Sequence, residues 1–211
     1  MSPLSPSPTP ARQTRRGKER CLRVRQVAAD LFLAQGYDPV SLDDILALSG
    51  GSKTMLYSQF GGKEGLFLAV VIELCDAITS PLEELDLTGL SLEKGLEDLG
   101  RSLLRSLLSP RHLALYRLVI GLGGRFPAIG PVWYQHGPQR SQQIFAAFLS
   151  HHLPATNPDS DPESLSQAAA LFHDMAVSDP LCRALCGLPY DADSHLTTAV
   201  GHFIAGWPSA L

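Results

Sequence analysis

The chain has 211 residues, of which 45% are hydrophobic and 18% charged, so it is ordinary globular material with room for one substantial domain or two small ones. Its 17 Lys+Arg and 21 Asp+Glu leave a net charge of −4, which by itself argues against a nucleic-acid binder, but the balance is uneven: residues 1–67 sum to +3 and residues 68–211 to −7. Cys21, Cys75, Cys182 and Cys186 lack the paired spacing of a metal site, no apolar run approaches membrane-spanning length, and the N-terminus has no signal-peptide core; the expected setting is a reducing cytoplasm, with no membrane partner.

Residues 2–10 alternate Ser, Pro and Thr, a composition that buries little, and residues 1–16 read as a disordered tail ending in basic residues. Arg12, Arg15, Arg16, Lys18, Arg20, Arg23 and Arg25 fall in one stretch with only Glu19 against them, which suits either a phosphate backbone or plain solvent. Between 18 and 35 the apolar positions Cys21, Val24, Val27, Ala28, Leu31 and Phe32 keep helical spacing, and Gly36 closes the helix. Ser41 with Asp44 three residues on is a capping box that opens a second helix at Leu42. Leu42, Ile45, Leu46 and Leu48 would form its buried stripe, and Gly50-Gly51 would end it. Ser52 caps a third helix that turns Met55, Leu56 and Phe60 inward and leaves Lys53, Thr54, Tyr57 and Ser58 outward. Two short helices about a glycine turn are either an ordinary helical hairpin or a helix-turn-helix, whose second helix lies in the DNA major groove.

Ala28, Leu31, Phe32, Gly36, Tyr37, Ser41, Ile45, Gly50, Ser52, Lys53, Leu56, Tyr57, Phe60, Lys63, Glu64 and Leu66-Phe67 carry a resemblance, over residues 20–67, to the DNA-binding domain of the TetR family of one-component transcriptional repressors. Three positions depart from the family's usual pattern: Leu46 for a small alanine, Gly51 for a branched apolar residue and Thr54 for a frequent glycine. The resemblance implies a double-stranded DNA operator contacted by Arg20, Ser41, Ser52, Lys53, Thr54, Tyr57, Ser58 and Lys63. Lys53 and Thr54 would lie near base edges, Tyr57 and Lys63 near phosphates. It also implies a head at residues 17–67 and a body at residues 68–211.

After Gly61-Gly62 a largely apolar helix over 65–79 carries Leu66, Phe67, Val70, Val71 and Leu74 and is expected to stop near Pro81. Ser91 caps a helix with leucines at 92, 96, 99, 103 and 107 that ends before Pro110. A helix over 111–121 carries His112, Leu115, Tyr116 and Val119, and the glycines from Gly121 to Gly124 interrupt it. Phe126-Pro127 restarts a segment through Trp133-Tyr134 to Gly137-Pro138, and a further helix runs to about Leu153. Beyond a loop at 154–161, Asp161 caps a helix with Pro162 in its first turn, ending near Val177. A short helix over 180–186, a turn at Gly187-Leu188-Pro189 and a last helix from about Asp193 to Gly206 complete an all-α chain.

Tyr116-Arg117-Leu118-Val119-Ile120, Arg125-Phe126-Pro127 and Gly137-Pro138 resemble the C-terminal regulatory domain of the AefR-like branch of that family, with glycines at 121, 123 and 124 in place of longer residues. That resemblance implies a helical body that dimerises and surrounds a small-molecule cavity. Tyr116, Phe126, Trp133, Tyr134, Phe145, Phe172 and His173 are the candidate ligand-binding wall, and each also suits a core position. No cofactor, metal or catalytic residue is expected: no His/Glu pair has metalloprotease spacing, no Gly-x-Ser-x-Gly elbow occurs, and the glycines at 121 to 124 follow a helix, not a strand. The expectation is an all-α, two-domain regulator, not an enzyme, that binds a palindromic operator as a homodimer and is released by an apolar or aromatic effector. A small helical enzyme using the aromatic cavity and a nonspecific architectural DNA binder are the alternatives. The dimer is expected to pair residues 162–177 and 193–206 of each subunit through Leu165, Ala169, Phe172, Val177, Leu196, Val200, Phe203 and Ile204.

Overall fold

The computed structural model describes residues 15–152 and 161–206, and among them every regular element is a helix. The chain divides into two compact units between Phe67 and Leu68. Of the expected tail at 1–16 and loop at 154–161, only Arg15, Arg16 and Asp161 lie within the described residues, the first two opening a helix and the third capping one.

The first unit holds α1 (Arg15–Gln35), α2 (Leu42–Ser49), α3 (Lys53–Phe60) and the first turn of α4 (Lys63–Glu83). α1 buries Cys21, Val24, Ala28, Ala29 and Phe32, and the Phe32 ring meets the edge of Phe67 at 5.1 Å. Ile45, Leu56, Leu66 and Phe67 are fully buried beside them. Leu48 departs from the expected stripe: it is 59% exposed, while Ser49 is buried and donates its hydroxyl to the Ile45 carbonyl at 2.7 Å. A helix this short buries only one edge, and internal satisfaction of the hydroxyl makes the serine tolerable there. Gly65 closes the unit tightly. A Cβ built on it would lie 1.7 Å from the Phe60 carbonyl oxygen, so only glycine lets α4 start this close to the end of α3.

The second unit contains the rest of α4 with α5 (Leu92–Leu107), α6 (Pro110–Leu122), α7 (Ile129–His136), α8 (Pro138–Ser150), α9 (Pro162–Cys186) and α10 (Ala192–Gly206). α5 packs on α8, α9 and α10, and α8 packs along α9. The leucines of α5 at 96, 99, 103 and 104 meet Phe145, Phe148 and Phe172 in one core. α6 runs through Gly121 to Leu122, because Val119 and Leu122 are buried and hold the last turn.

Two helices outrun their prolines. α4 continues through Pro81 to Glu83, since Ile78 and Leu82 on either side of it are buried. α9 continues through Pro180 to Cys186 as one helix of 25 residues, where a break near Val177 was expected. An interior proline costs roughly 3 kcal/mol, and burying Val177 and Leu181 contributes about 1.5–3 kcal/mol each, so packing wins. The extension makes α4 long and apolar enough to cross a membrane by length and composition, contrary to expectation; half of its apolar window is buried inside the fold, as in the core helix of a globular protein.

The residues expected at a subunit face also fall elsewhere. Leu165, Ala169, Phe172, Val177, Leu196 and Val200 are buried within the single chain, and Phe203 and Ile204 pack against the same core. The hydrophobic stripes of α9 and α10 are the ones that pack onto their own neighbours. The large apolar side chains that α9 presents to solvent are Leu171, 63% exposed, and Met175, 38% exposed.

Candidate nucleic-acid interface and ligand cavity

Each helix of the α2–α3 hairpin is started by a side-chain cap. Ser41 accepts from the Asp44 amide at 3.1 Å, and the Asp44 carboxylate takes both the Ser41 amide at 2.9 Å and its hydroxyl at 2.6 Å. These bonds, the side-chain one foremost, hold the Asp44 carboxyl below its usual pKa. Ser52 accepts from the Met55 amide at 3.2 Å, and Gly61 ends α3 in the left-handed region. Between them Gly51 has φ +113°, which a branched residue does not adopt without strain; glycine is the residue this turn requires.

α3 therefore presents a fixed outward face. Lys53, Thr54, Tyr57 and Ser58 are exposed, while Leu56 is buried and Met55 and Phe60 are half-buried. Lys53 Nζ lies 2.9 Å from the Asp43 carboxylate, and Ser58 donates to the Met55 carbonyl at 2.9 Å. The Tyr57 ring lies over Gly62, its Cε1 3.2 Å from the Cβ position there, and the residue is 56% exposed. Arg20 is exposed beside the turn, its Cδ 3.6 Å from the Cβ position of Gly51. Lys63 Nζ donates to the Asp38 carbonyl at 3.1 Å and stands 4.4 Å from the centre of the Tyr37 ring, whose quadrupole attracts the cation. Partial burial lowers the Lys63 pKa, against a smaller opposing effect of Asp38. Ser41 has its hydroxyl committed to Asp44, whereas the Ser52 hydroxyl proton has no acceptor among the described residues. A short helix bearing an amine and three hydroxyls on one exposed face can donate to phosphates and base edges alike.

A cavity of about 490 Å³ opens in the second unit among α4 to α9. Of the seven candidate wall residues, Tyr116, Trp133, Tyr134 and His173 line it, with Tyr116 and Trp133 edge to face at 5.5 Å. Phe145 and Phe172 do not; both are fully buried core rings, 5.1 Å apart, and Phe172 also meets Phe203 edge to face. Phe126 sits in the turn after α6, donating its amide to the Leu122 carbonyl at 2.8 Å, and is not among the wall residues. A larger and more open hollow of about 780 Å³ lies between residues 82–90 and α8, edged by the Arg140–Glu83 ion pair. The smaller cavity is the more enclosed and carries the aromatic walls, so it is the better ligand site.

Sequence reading missed His112, Gln142 and Asp174 on this wall. His112 was findable, since it lies one turn before Tyr116 on the same face of α6. Its Nδ1 lies 2.6 Å from the Ser106 carbonyl and its Nε2 3.0 Å from that of Leu74, so it ties α6 to the end of α5 and to α4. Burial lowers the pKa of His173, opposed more weakly by the hydrogen bond and charge of Asp174. Buried Cys75 is pushed up to about 12, chiefly by desolvation, and is an inert thiol. Among the described residues no group of three His, Cys, Asp or Glu could hold a metal ion.

Residues 24–70 match the family described as bacterial regulatory proteins, tetR family, and residues 94–206 match the AefR-like transcriptional repressor C-terminal domain. The chain is similar to a solved structure described as a TetR-family transcriptional regulator from Mesorhizobium loti MAFF303099, at 27% identity and a TM-score of 0.71, covering 91% of this chain and 98% of that one. It is also similar to the structure named flavonoid-responsive regulator FrrA, at 25% identity and TM-score 0.71, covering 89% and 94%. A TetR transcriptional regulator from Agrobacterium tumefaciens matches at 26% identity and TM-score 0.66, covering 88% and 93%. A comparison with curated proteins finds no match.

Proposed function

Because the chain belongs to the TetR family of transcriptional regulators, we propose that it acts in the cytoplasm as a homodimeric repressor that binds a pseudo-palindromic operator and is released by an apolar or aromatic effector. The observation that carries this reading is the outward face of α3. Its polar side chains stand exposed on a helix whose two ends are fixed by Ser52 and Gly61. With α3 in the major groove, Lys53 and Thr54 read base edges from the first turn, Tyr57 and Lys63 meet phosphates, and Arg20 adds charge.

A two-fold dimer gives two such helices and therefore two mirrored half-sites. The subunit face proposed is the exposed side of α9 and α10, with Leu171 and Met175 at its centre. The effector occupies the 490 Å³ cavity. The name of the flavonoid-responsive neighbour supports an aromatic ligand for this chain. The coupling is a population shift: an effector that prefers the body conformation less suited to operator spacing weakens DNA binding by that preference alone, on the order of 1–3 kcal/mol. An enzyme would need a nucleophile or base held by an orienting group. Among the described residues His112 is engaged with two backbone carbonyls, and His173, oriented by Asp174, has no hydroxyl or thiol nucleophile hydrogen-bonded to it.

The test is a thermal-shift screen of small aromatic molecules followed by fluorescence anisotropy on DNA from the region beside the chain's own gene. Compounds that raise the melting temperature should also lower DNA affinity. Strong stabilisers that never alter DNA binding would contradict the regulatory half of the proposal.

A further inference from the structure

The cavity wall carries two buried polar side chains that are differently served. Ser141 spends its hydroxyl on the Pro138 carbonyl at 2.9 Å. His173, with 9% of its side chain exposed, has one polar partner among the described residues, the Asp174 carboxylate, 3.4 Å from Nδ1. A carboxylate can only accept, so Nδ1 carries the proton and Nε2 is left as a bare lone pair with no partner. A buried acceptor of this kind is a standing preference for a ligand that donates.

Charge narrows the class further. No Lys or Arg lines the cavity, and its one carboxylate is Asp174. A carboxylate or phosphate ligand would lose its water with no Lys or Arg to replace it. Burial also keeps the His173 imidazole uncharged near neutrality. The rings of Tyr116 and Trp133, set edge to face, suit a flat aromatic frame, and a cavity of about 490 Å³ falls within the usual range for drug-sized molecules.

We infer that this cavity takes an uncharged planar aromatic ligand bearing a phenolic hydroxyl, and that the hydroxyl donates to Nε2 of His173, which sets the specificity. The inference rests on the reading of the cavity as the effector site. His173 touches the ligand and selects for the donor; the aromatic walls select for the frame.

Isothermal titration of the full chain at pH 7 with para-phenylphenol, para-methoxybiphenyl and biphenyl-para-carboxylate separates the donor, the frame and the charge. The phenol should bind about tenfold more tightly than the ether, one unmet hydrogen bond, and the carboxylate should be the weakest of the three. In His173→Phe the phenol and the ether should bind alike, and His173→Gln, whose amide oxygen also accepts, should restore some of the preference. If the Phe variant does not fold, the ring-nitrogen resonance of the unaltered chain carries the test. A change in the His173 ring nitrogen resonance when para-phenylphenol is added to the unaltered chain reads the same bond without any substitution. An ether or carboxylate that binds as tightly as the phenol, a preference unchanged by both variants, or no binding by any of the three overturns the inference. The effector reading is judged separately by release of promoter DNA. A carboxylate that binds and releases DNA overturns the ligand class and leaves the effector reading standing. A phenol that binds with the expected preference and leaves DNA bound does the reverse.

Discussion

Lys53 Nζ lies 2.9 Å from Asp43 Oδ2, so the first cation of α3 is held by an anion of α2 before any DNA arrives. Both side chains are more than half exposed, and such a pair adds at most about 1 kcal/mol to stability. Its larger effect falls on DNA, which must compete for the lysine and tolerate the carboxylate. Asp43→Asn should raise affinity for operator and random DNA alike, severalfold at low salt, with little change in melting temperature. Anisotropy titrations at two salt concentrations check this, and lower affinity in the variant would contradict it.

Lys63 and Lys53 should behave differently on DNA. Lys63→Ala should weaken operator and random sequences equally and lower the salt slope by roughly one, as about one fewer counterion is released. Tyr57→Phe should likewise act uniformly. Lys53→Ala and Thr54→Ala should relax preference at particular base pairs, by about 1–3 kcal/mol where a good contact is lost. A binding-site selection at fixed salt decides: new preferred bases with Lys63→Ala, and none with Lys53→Ala or Thr54→Ala, would refute the docking.

Leu171 and Val200 separate assembly from folding. Val200 is 1% exposed inside the chain's own core, so Val200→Glu should unfold the second unit instead of merely dissociating a dimer. Leu171→Glu should leave the fold intact and shift a dimer toward monomer. Sedimentation with circular dichroism on both variants reads this; a folded dimer of Leu171→Glu would place the subunit face elsewhere.

Acid should weaken the fold through histidines that folding desolvates. The folded pKa of His173 lies below the unfolded value of 6.5, so the unfolded chain binds more protons as pH falls. The contribution of the neutral ring is present above 6.5 and is lost as pH drops from there through the folded value. His152, lowered by desolvation and then by His151, acts in the same direction. Urea midpoints measured from pH 7.5 to 5 should fall, and His173→Gln should flatten some of that slope. A slope of the opposite sign would show that these rings gain charge on folding.

Much of the head was legible because local chemistry decides it. Ser41 with Asp44, Ser52, and the glycines at 36, 50 and 61 mark helix ends by their own hydrogen bonds and φ angles, and the structure has caps or stops at each. Leu48 was misread, and Ser49 left unassigned, because periodicity over eight residues leaves the buried edge uncertain by one position. Pro81 and Pro180 misled for a different reason: a proline rule is local, while the buried residues that carry α4 and α9 past them belong to tertiary packing. The cavity was half legible. Tyr116, Trp133, Tyr134 and His173 reach it, but nothing in an aromatic residue type tells a wall from a core, and Phe145 and Phe172 went to the core.

Whether α3 directs this chain to one symmetric DNA sequence is decided by nuclease footprinting of the region beside its own gene. The expected result is a bounded protected segment with two mirrored half-sites, centred on the same face of the duplex, whose protection is lost with Lys53→Ala before that of random DNA is. Protection that spreads along the duplex without boundaries as protein is added, or that is unchanged by Lys53→Ala, would contradict it.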